Sequence, residues 1–289
     1  MPSVRDIKRR IRSVKNIQQI TKAMKIVAAT KLRKAQEAIL RARPYAIALE
    51  NLIARLAKRV DHSKHPLLHI PEKRGQIGIM VITGDRGLCG SFNANIIRKT
   101  LYFLENETKD KEVELLLIGR KGYDYFKRRK YKIRDYYANF FEELSYANAI
   151  AITDKLCDFF LQHHFDEVYL IYNWFKSVLT QQVLVQKILP IEPVKIEETE
   201  LMNIDYLYEP SIDKVLEKLI PRYLVVEVWR CLLESVSAEH AARMTAMENA
   251  TKNACEMIDK LTLTFNRARQ ASITKEMCEI VAGVEALKG

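Results

Sequence analysis

The chain has 289 residues, of which 48% are hydrophobic and 29% are charged, a balance typical of one or two folded domains. This composition excludes a largely disordered chain, and the sequence contains no run of about 18 apolar residues that would predict a transmembrane helix. The net charge of +11 favours an acidic partner, such as nucleic acid, anionic lipid or acidic segments of another protein.

The first predicted element is a long amphipathic helix over residues 3–43, because no proline or glycine interrupts this segment. Its apolar residues recur every three or four positions and form one stripe: Ile7, Ile11, Val14, Ile17, Ile20, Met24, Ala28, Leu32, Ala35 and Ile39. Residues 1–43 hold thirteen Lys and Arg against Asp6 and Glu37, so they account for the whole net charge. The helix suits an acidic partner, and a solvated outer face of a coiled coil is the alternative. The lack of aromatic residues counts against nucleic acid.

Pro44 predicts a kink or a break, after which the helical pattern resumes to about Val60. The next stretch, HSKHPLLHIPEKRG, is a predicted loop because of its prolines and polar residues. Its histidines, His62, His65 and His69, raise the question of a zinc site. Structural zinc sites use fixed elements and usually cysteine, and this loop supplies neither, so we expect no metal here.

A change of hydrophobic period between residues 76 and 198 predicts an α/β domain. Strands are predicted for five runs rich in Val, Ile and Tyr: QIGIMVIT, EVELLLIG, YKIRDYY, EVYLIYNW and SVLTQQVLVQKILPI. The helical patterns FNANIIRKTLYFL and YANAIAITDKLCDFFLQHH lie between several of them. This alternation predicts a largely parallel sheet with a final hairpin or edge strand.

The loop GDRGLCGSFN follows the first strand and opens a helix, a position where phosphates bind free backbone N–H groups. Gly84, Gly87 and Gly90 give G-x-x-G-x-x-G, which matches neither the dinucleotide fingerprint nor a P-loop. We therefore predict a structural turn and no cofactor. Cys89 lies in this turn, but nothing nearby in the sequence is an obvious base or resolving thiol. No catalytic constellation occurs elsewhere, so we do not expect an enzyme that acts on its own.

A second long helix is predicted near the carboxyl terminus, since residues 222–282 contain neither proline nor glycine. A near-heptad seam on it consists of Met247, Ala250, Ala254, Ile258, Leu261, Phe265, Ala268 and Ser272. A helix this long needs a second helix as its partner, and the amino-terminal helix provides one. The predicted fold is α/β with a long coiled coil: an antiparallel coiled coil of the terminal helices (residues 1–60 and 211–289) and a central Rossmann-like α/β domain (residues 61–210).

Chain lengths predict the register of this pair. If both helices leave the α/β domain near Val60 and Ser211, the numbers of facing residues add up to about 271 and the last twenty or so residues have no partner helix. This unpaired tip still carries an apolar stripe: Ile273, Met277, Ile280, Val284 and Leu287. An apolar stripe without a partner predicts that other proteins cover the tip.

The five cysteines are scattered, odd in number and without a C-x-x-C pair, as expected of free thiols in a reducing compartment. Because Met1 leads directly into a charged helix, we expect no signal peptide. An Arg-rich amphipathic amino terminus also describes a mitochondrial transit peptide, but its length and continuous stripe favour a structural helix. We expect a cytosolic protein.

Four separated motif regions, in the right order, resemble the gamma subunit of the F-type ATP synthase: VKNIQQITKAMKIVAATKLRKAQ, ITGDRGLCGSFN, DYLYEPS, and ESVSAEHAARMTAMENAT followed by NRARQASITKEMCEIVAGVEAL. The resemblance covers essentially the whole chain. It implies a rotor shaft whose coiled coil turns inside a ring of alternating alpha and beta subunits, with the α/β domain beside epsilon and the membrane ring of c subunits. Proton or sodium flow turns that ring, and ATP is made or hydrolysed on beta.

The resemblance also implies contact residues, and no catalytic, cofactor or metal site. Contacts with the acidic lever segments of beta are implied for Met24, Lys25 and Arg243. Contacts with beta loops near the top of the ring are implied for Arg269, Gln270, Thr274 and Glu276. A foot that faces the c ring is implied for Tyr206, Tyr208 and Glu209.

Chloroplast members of this family carry an inserted segment with a regulatory cysteine pair, which is missing here, so no thiol control is expected. The absence of a separate leader before RDIKRRI favours a bacterial member, peripheral on the cytoplasmic face of the plasma membrane. Two other function classes remain as alternatives. One is a nucleic-acid-binding coiled-coil protein, suggested by the basic first helix. The other is a nucleotide enzyme, which requires residues 84–90 to bind phosphate.

Overall fold

The computed structural model describes residues 3–57, 65–69, 75–109, 111–141, 144–191, 209 and 211–288. Within these ranges the chain forms five helices and five strands. In chain order they are α1 (Val4–Ala57), β1 (Gln76–Ile82), α2 (Phe92–Asn106), β2 (Glu112–Ile118), α3 (Arg120–Arg128), β3 (Ile133–Tyr137), α4 (Tyr146–Leu161), β4 (Glu167–Phe175), β5 (Gln181–Leu189) and α5 (Ile212–Lys288). None of these described helices combines the length and the apolar character needed to cross a membrane.

The chain divides into two compact units, one made of Met1–Ala28 and Met244–Gly289 and the other of Ala29–Arg243. The first unit contains the amino-terminal part of α1 and the carboxyl-terminal part of α5. The second unit contains the sheet and the remaining parts of both helices. The domain boundaries that the sequence predicts near residues 60 and 210 fall outside the described residues.

The second unit is built on a five-stranded sheet of order β3-β2-β1-β4-β5. β1, β2, β3 and β4 pair in parallel, and β5 runs antiparallel to β4 at one edge. This arrangement confirms the predicted parallel sheet with a final hairpin. All but the first residue of β1 are buried, as expected of a central strand in a sheet covered on both faces. The same core contains α2, α4 and the inner stretch of α5.

The helix α5 covers Ile212–Lys288, close to the predicted residues 211–289, and it runs through Pro221 without a break. Proline removes one backbone hydrogen bond from a helix interior and ordinarily weakens it. Burial compensates here, since Leu216, Ile220 and Leu224 are each at most 2% exposed. The prediction of one long carboxyl-terminal helix is therefore confirmed.

The helix α1 likewise continues through Pro44, which does not end it. Pro44 is exposed, so water can solvate the carbonyl group that the missing N–H leaves free. Beyond it, Leu49 and Ile53 pack with Val226 of α5 in a cluster of their own. This packing holds the last turns of α1 in helical form.

The parts of α1 and α5 in the first unit run antiparallel, as predicted. The hydroxyl groups of Thr21 and Thr251 share a hydrogen bond of 2.8 Å. One turn away, Gln18 Nε2 donates to Cys255 Sγ at 2.9 Å. The numbers of these facing residues add up to 272 and 273, close to the predicted register.

The predicted seam is confirmed on α5, where all eight of its residues are buried or half-buried. On α1 the predicted stripe is partly wrong, because Ile17 and Ile20 are 49% and 59% exposed. Thr21 is buried in their place. A helix turns once every 3.6 residues, so a stripe followed over about nine turns drifts off a narrow two-helix seam.

The helix α3 was not predicted, because its nine residues RKGYDYFKR bury only Gly122 and Phe126. Tertiary contacts fix it instead. The N–H of Gly122 donates to Thr83 Oγ1 at 2.9 Å. Gly119, at the start of the helix, has a φ of +92°, a conformation that residues with a side chain rarely adopt.

We expect Gly119→Ala to lower the free energy of unfolding by roughly 3 kcal/mol. A Cβ at this position would collide with the carbonyl oxygen of Thr83, and the positive φ strains alanine further. Gly75→Ala is the matched control, since nothing lies within 4 Å of a Cβ built there. Urea unfolding measures the loss of stability in each variant. If Gly119→Ala loses as little stability as Gly75→Ala, the steric requirement for glycine at position 119 is wrong.

Candidate functional site: partner-binding surfaces on the long helices

The amino-terminal part of α1 presents a cationic surface. Its exposed cations include Arg5, Lys8, Arg9, Arg10, Arg12, Lys15 and Lys22. Arg9 pairs with Asp6 at 3.3 Å, but its side chain is 83% exposed. Exposed ion pairs of this kind contribute little to stability, so the surface is available to an acidic partner.

Lys25 and Met24 lie in the same unit, next to the antiparallel seam. Lys25 Nζ donates to Glu248 Oε1 at 2.7 Å, which links α1 to α5. The Lys25 side chain remains 38% exposed, and Met24 is half-buried. Both residues are therefore accessible, although Lys25 already has one acidic partner within the chain.

Arg243 belongs to the second unit and is held tightly by its surroundings. Its Nη2 donates to Glu239 Oε1 at 2.7 Å and to the carbonyl oxygen of Gly87 at 3.2 Å. The Arg243 side chain is 12% exposed and that of Glu239 is 4% exposed. Arg243 thus fastens α5 to the loop that follows β1, a role that the sequence did not predict.

The loop after β1 is shaped by this contact with α5. The N–H of Gly84 donates to Asn93 Oδ1 at 2.8 Å, which folds the loop onto the start of α2. A Cβ on Gly84 would lie 2.6 Å from Glu239 Oε1, so a side chain at this position would displace the Glu239 carboxylate. The Glu239 carboxylate therefore lies directly beside Gly84, and its negative charge is unfavourable for a phosphate at this point of the loop. This arrangement supports the prediction of a structural turn.

Burial controls the ionisation of the groups around Arg243. Burial, together with Arg243 and Lys31, lowers the pKa of His240 to about 4. Burial raises the pKa of Glu239, although the Arg243 guanidinium opposes that shift. Burial also raises the pKa of the Cys89 thiol in the loop, so this cysteine is not an activated nucleophile.

The carboxyl-terminal end of α5 forms a second exposed surface, on the first unit. The predicted contact residues Arg269, Gln270, Thr274 and Glu276 are all exposed. Beside them lies an apolar set that is 46% to 65% exposed: Ile273, Met277, Ile280, Val281 and Val284. Patches of this kind mark surfaces that a partner covers.

The predicted foot is described only in part. Glu209 is exposed, whereas Tyr206 and Tyr208 lie outside the described residues. His62 also lies outside them, and no group of three potential metal ligands occurs within the described part of the chain. His65 Nδ1 accepts a hydrogen bond from the N–H of Leu67 at 3.2 Å, as a loop-stabilising residue does.

Sequence reasoning missed Glu239 and His240, which complete the Arg243 cluster. The signal that was available is the spacing EHAAR, which places Glu239 and Arg243 four residues apart on one helix face. The contact with Gly87 spans 156 positions of sequence and left no local signal.

Comparisons with known proteins agree with one another. A family model described as ATP synthase matches residues 3–287. The ATP synthase gamma chain of Anaeromyxobacter sp. (strain Fw109-5) is 50% identical over 292 residues, and that of Pelotomaculum thermopropionicum is 48% identical over 288 residues. Each of these alignments covers 100% of both chains.

Solved structures give the same answer for the fold. A chain of the central stalk and c ring of the Tetrahymena thermophila mitochondrial ATP synthase is 27% identical, with a TM-score of 0.60 over 80% of this chain and 99% of that chain. A chain of the Euglena gracilis mitochondrial ATP synthase shares the fold, with a TM-score of 0.68 and 19% identity over 98% of this chain and 94% of that chain.

The low pKa of His240 predicts a loss of stability in acid. An unfolded histidine takes up its proton near pH 6.5, whereas folded His240 does so only near pH 4. Stability contributed by neutral His240 is therefore lost as the pH falls from 6.5 to 4, by about 3 kcal/mol in total. Glu239 acts in the opposite direction, because its raised pKa lets the folded chain take up a proton first.

The comparison of wild type with His240→Gln separates these two contributions. We expect urea unfolding to show that the wild type loses stability relative to this variant between pH 7 and pH 4.5. Parallel pH profiles for the two proteins would contradict the assignment of a depressed pKa to His240.

Proposed function

This chain belongs to the ATP synthase gamma chain family, and we propose from that premise how its terminal helix pair works as the central shaft of the enzyme. As a gamma subunit, it is a rotor component that couples the c ring to ATP synthesis and hydrolysis on the beta subunits. The alpha and beta subunits, epsilon and the c ring are its partners. The antiparallel helix pair with its exposed, apolar tip is the observation that carries the proposal.

The shaft acts on catalytic sites that belong to other subunits. A site on beta changes its affinity for nucleotide only if the shaft packs differently against each of its conformations. The helix pair is suited to this task because its surfaces differ in chemistry. Cations crowd the outer face of α1, and apolar side chains cover the tip of α5. Rotation therefore presents a different surface to each beta subunit in turn.

We propose three sets of contacts, which the resemblance to the family implies. Met24, Lys25 and Arg243 meet the acidic lever segments of beta. Arg269, Gln270, Thr274 and Glu276 meet beta loops around the tip, and Tyr206, Tyr208 and Glu209 face the c ring. The exposure of the tip residues and of Lys25 supports these assignments. Arg243 contributes mainly by fastening α5 to the Gly87 loop, since its guanidinium is already satisfied there.

The chain itself carries out no chemistry in this proposal. Glu239 fills the space above Gly84, and this placement of a carboxylate disfavours phosphate at the loop. We propose that the ATP made by the complex forms on beta. The subunit is attached to the membrane peripherally, through the complex, and we place it on the cytoplasmic face of a bacterial plasma membrane. Co-purification of the native chain with alpha, beta and epsilon in an assembly with ATPase activity tests the proposal.

Removal of charge from α1 should weaken coupling without unfolding the chain. The triple variant consists of Arg9→Gln, Arg10→Gln and Lys25→Gln. Exposed charges contribute little to stability, so we expect a normal unfolding transition. The variant should transmit less torque between α1 and the acidic segments of beta. The measurement is the number of protons pumped per ATP hydrolysed, which should fall.

A control variant removes three exposed cations from the α/β domain: Lys109→Gln, Arg128→Gln and Lys130→Gln. It should couple as the wild type does. Low salt strengthens interactions between exposed charges and is therefore the most sensitive condition. Normal coupling of the α1 variant at low salt would mean that this face does not act on an acidic partner.

The tip of α5 should be frayed in the isolated chain and ordered in the complex, where it acts as an upper bearing. Each exposed apolar side chain forgoes about 25 cal/mol per Å² of burial until a partner covers it. Hydrogen exchange at the amides of residues 273–287 measures this change, and the buried residues 231–240 serve as a reference that should be protected in both states. If the tip is strongly protected from hydrogen exchange in the absence of alpha and beta, the proposal that it acts as a bearing is refuted.

A further inference from the structure

The second unit contains a cavity of about 410 Å³ between α1, the hairpin of β4 and β5, and α5. Its aliphatic wall consists of Ile39, Ala42, Ile47, Val226 and Leu233. Trp174 of β4 and Tyr223 of α5 add two aromatic rings. This size and this mostly apolar lining are those of sites that bind small organic molecules.

The floor of the cavity is an ion-pair network on one face of α5. Arg230 Nη2 donates to Glu227 Oε2 at 2.7 Å, and Arg230 Nη1 donates to Glu234 Oε1 at 3.0 Å. Gln186 Nε2 also donates to Glu227 Oε2, at 3.2 Å. Two carboxylates therefore share a single guanidinium group.

Glu234 is left incompletely satisfied by this network. Its side chain is 10% exposed, and its Oε2 atom is buried without a hydrogen-bond partner. A buried carboxylate oxygen without a donor is unfavourable by an amount comparable to a lost hydrogen bond, and more when the group is charged. A donor that enters the cavity and meets Glu234 would relieve this deficit.

The charges that line the cavity do not cancel. Three carboxylates, those of Glu50, Glu227 and Glu234, face two guanidinium groups, those of Arg43 and Arg230. One negative charge is therefore in excess among the residues that line the cavity. Burial raises the pKa of Glu50 and of Glu234, and the neighbouring Glu227 carboxylate adds to both shifts, whereas the Arg230 guanidinium opposes them.

We propose that this cavity binds an organic monocation, with an ammonium head and an apolar or aromatic body. The ammonium N–H groups supply the donor that Glu234 lacks and neutralise the excess charge. The body packs on the aliphatic wall, and the rings of Trp174 and Tyr223 favour a cation beside them. An anion is repelled by the carboxylates, and a bare metal ion gains nothing from the apolar wall.

Such a ligand would contact α1, α5 and the hairpin at once, and so would stabilise the way these elements pack within this unit. The proposal concerns a small-molecule site and goes beyond the rotor function. The test of this proposal measures ligand binding alone. Its result is therefore independent of whether the chain rotates in a complex.

Isothermal titration of the purified full-length chain tests the proposal, with 4-phenylbutylamine as the probe. The uncharged 4-phenylbutan-1-ol is the matched ligand, equal in length and ring but without the cation. We expect the amine to bind about tenfold more tightly or better, as a charge-assisted hydrogen bond provides. Equal affinities, or no binding of the amine, would overturn the proposal.

Three variants locate the binding. Glu234→Gln removes the excess charge and should weaken amine binding about tenfold while leaving that of the alcohol unchanged. Ala42→Trp fills the cavity from α1, leaves the ion-pair network intact and should abolish binding of both ligands. Glu105→Gln removes an exposed carboxylate from α2 and should have no effect. Amine binding that survives Ala42→Trp would place it elsewhere and refute the site.

Discussion

The structure depends on the burial of one stretch of helix on all of its sides. Every residue from 231 to 240 of α5 is buried, in contrast to an ordinary surface helix, which buries one stripe. Polar groups in such a stretch are stabilised by partners inside the protein, although Glu234 Oε2 and Ser237 Oγ have no hydrogen-bond partner among the described residues. Ser235 Oγ accepts from the N–H of Asn173 at 3.2 Å, and Glu239 pairs with Arg243. The closed loop after β1 follows from the same demand, because Glu239 needs the space beside Gly84.

Much of the fold could be predicted from local sequence. The five strands are short runs of β-branched and aromatic residues, and the two long helices contain neither proline nor glycine over residues 3–43 and 222–282. The predictions failed where tertiary contacts decide the outcome. Pro221 lies inside α5 because its neighbours are buried, and α3 forms because Gly122 bonds to Thr83. Ile17 and Ile20 point away from the seam because a two-helix interface is narrower than the stripe drawn from periodicity.

The candidate site was accessible to sequence reasoning only through resemblance. Composition and periodicity identified a basic helix and an unpaired tip, and both are present in the structure. They could not predict the ion pair between Lys25 and Glu248, because these residues are 223 positions apart. Nor could they reveal that Arg243 donates to the carbonyl oxygen of Gly87, 156 positions away. Ion pairs between distant segments depend on the final packing, which no local pattern encodes.

The apolar end of α5 also bears on how cells produce this subunit. A chain synthesised in excess of its partners displays Ile280 and Val281 to the solvent, where two copies can associate through the same surface. Matched translation of the subunits, or a chaperone that shields this segment before assembly, would limit such self-association. The same apolar tip that a partner covers in the complex thus exposes the unassembled subunit to self-association.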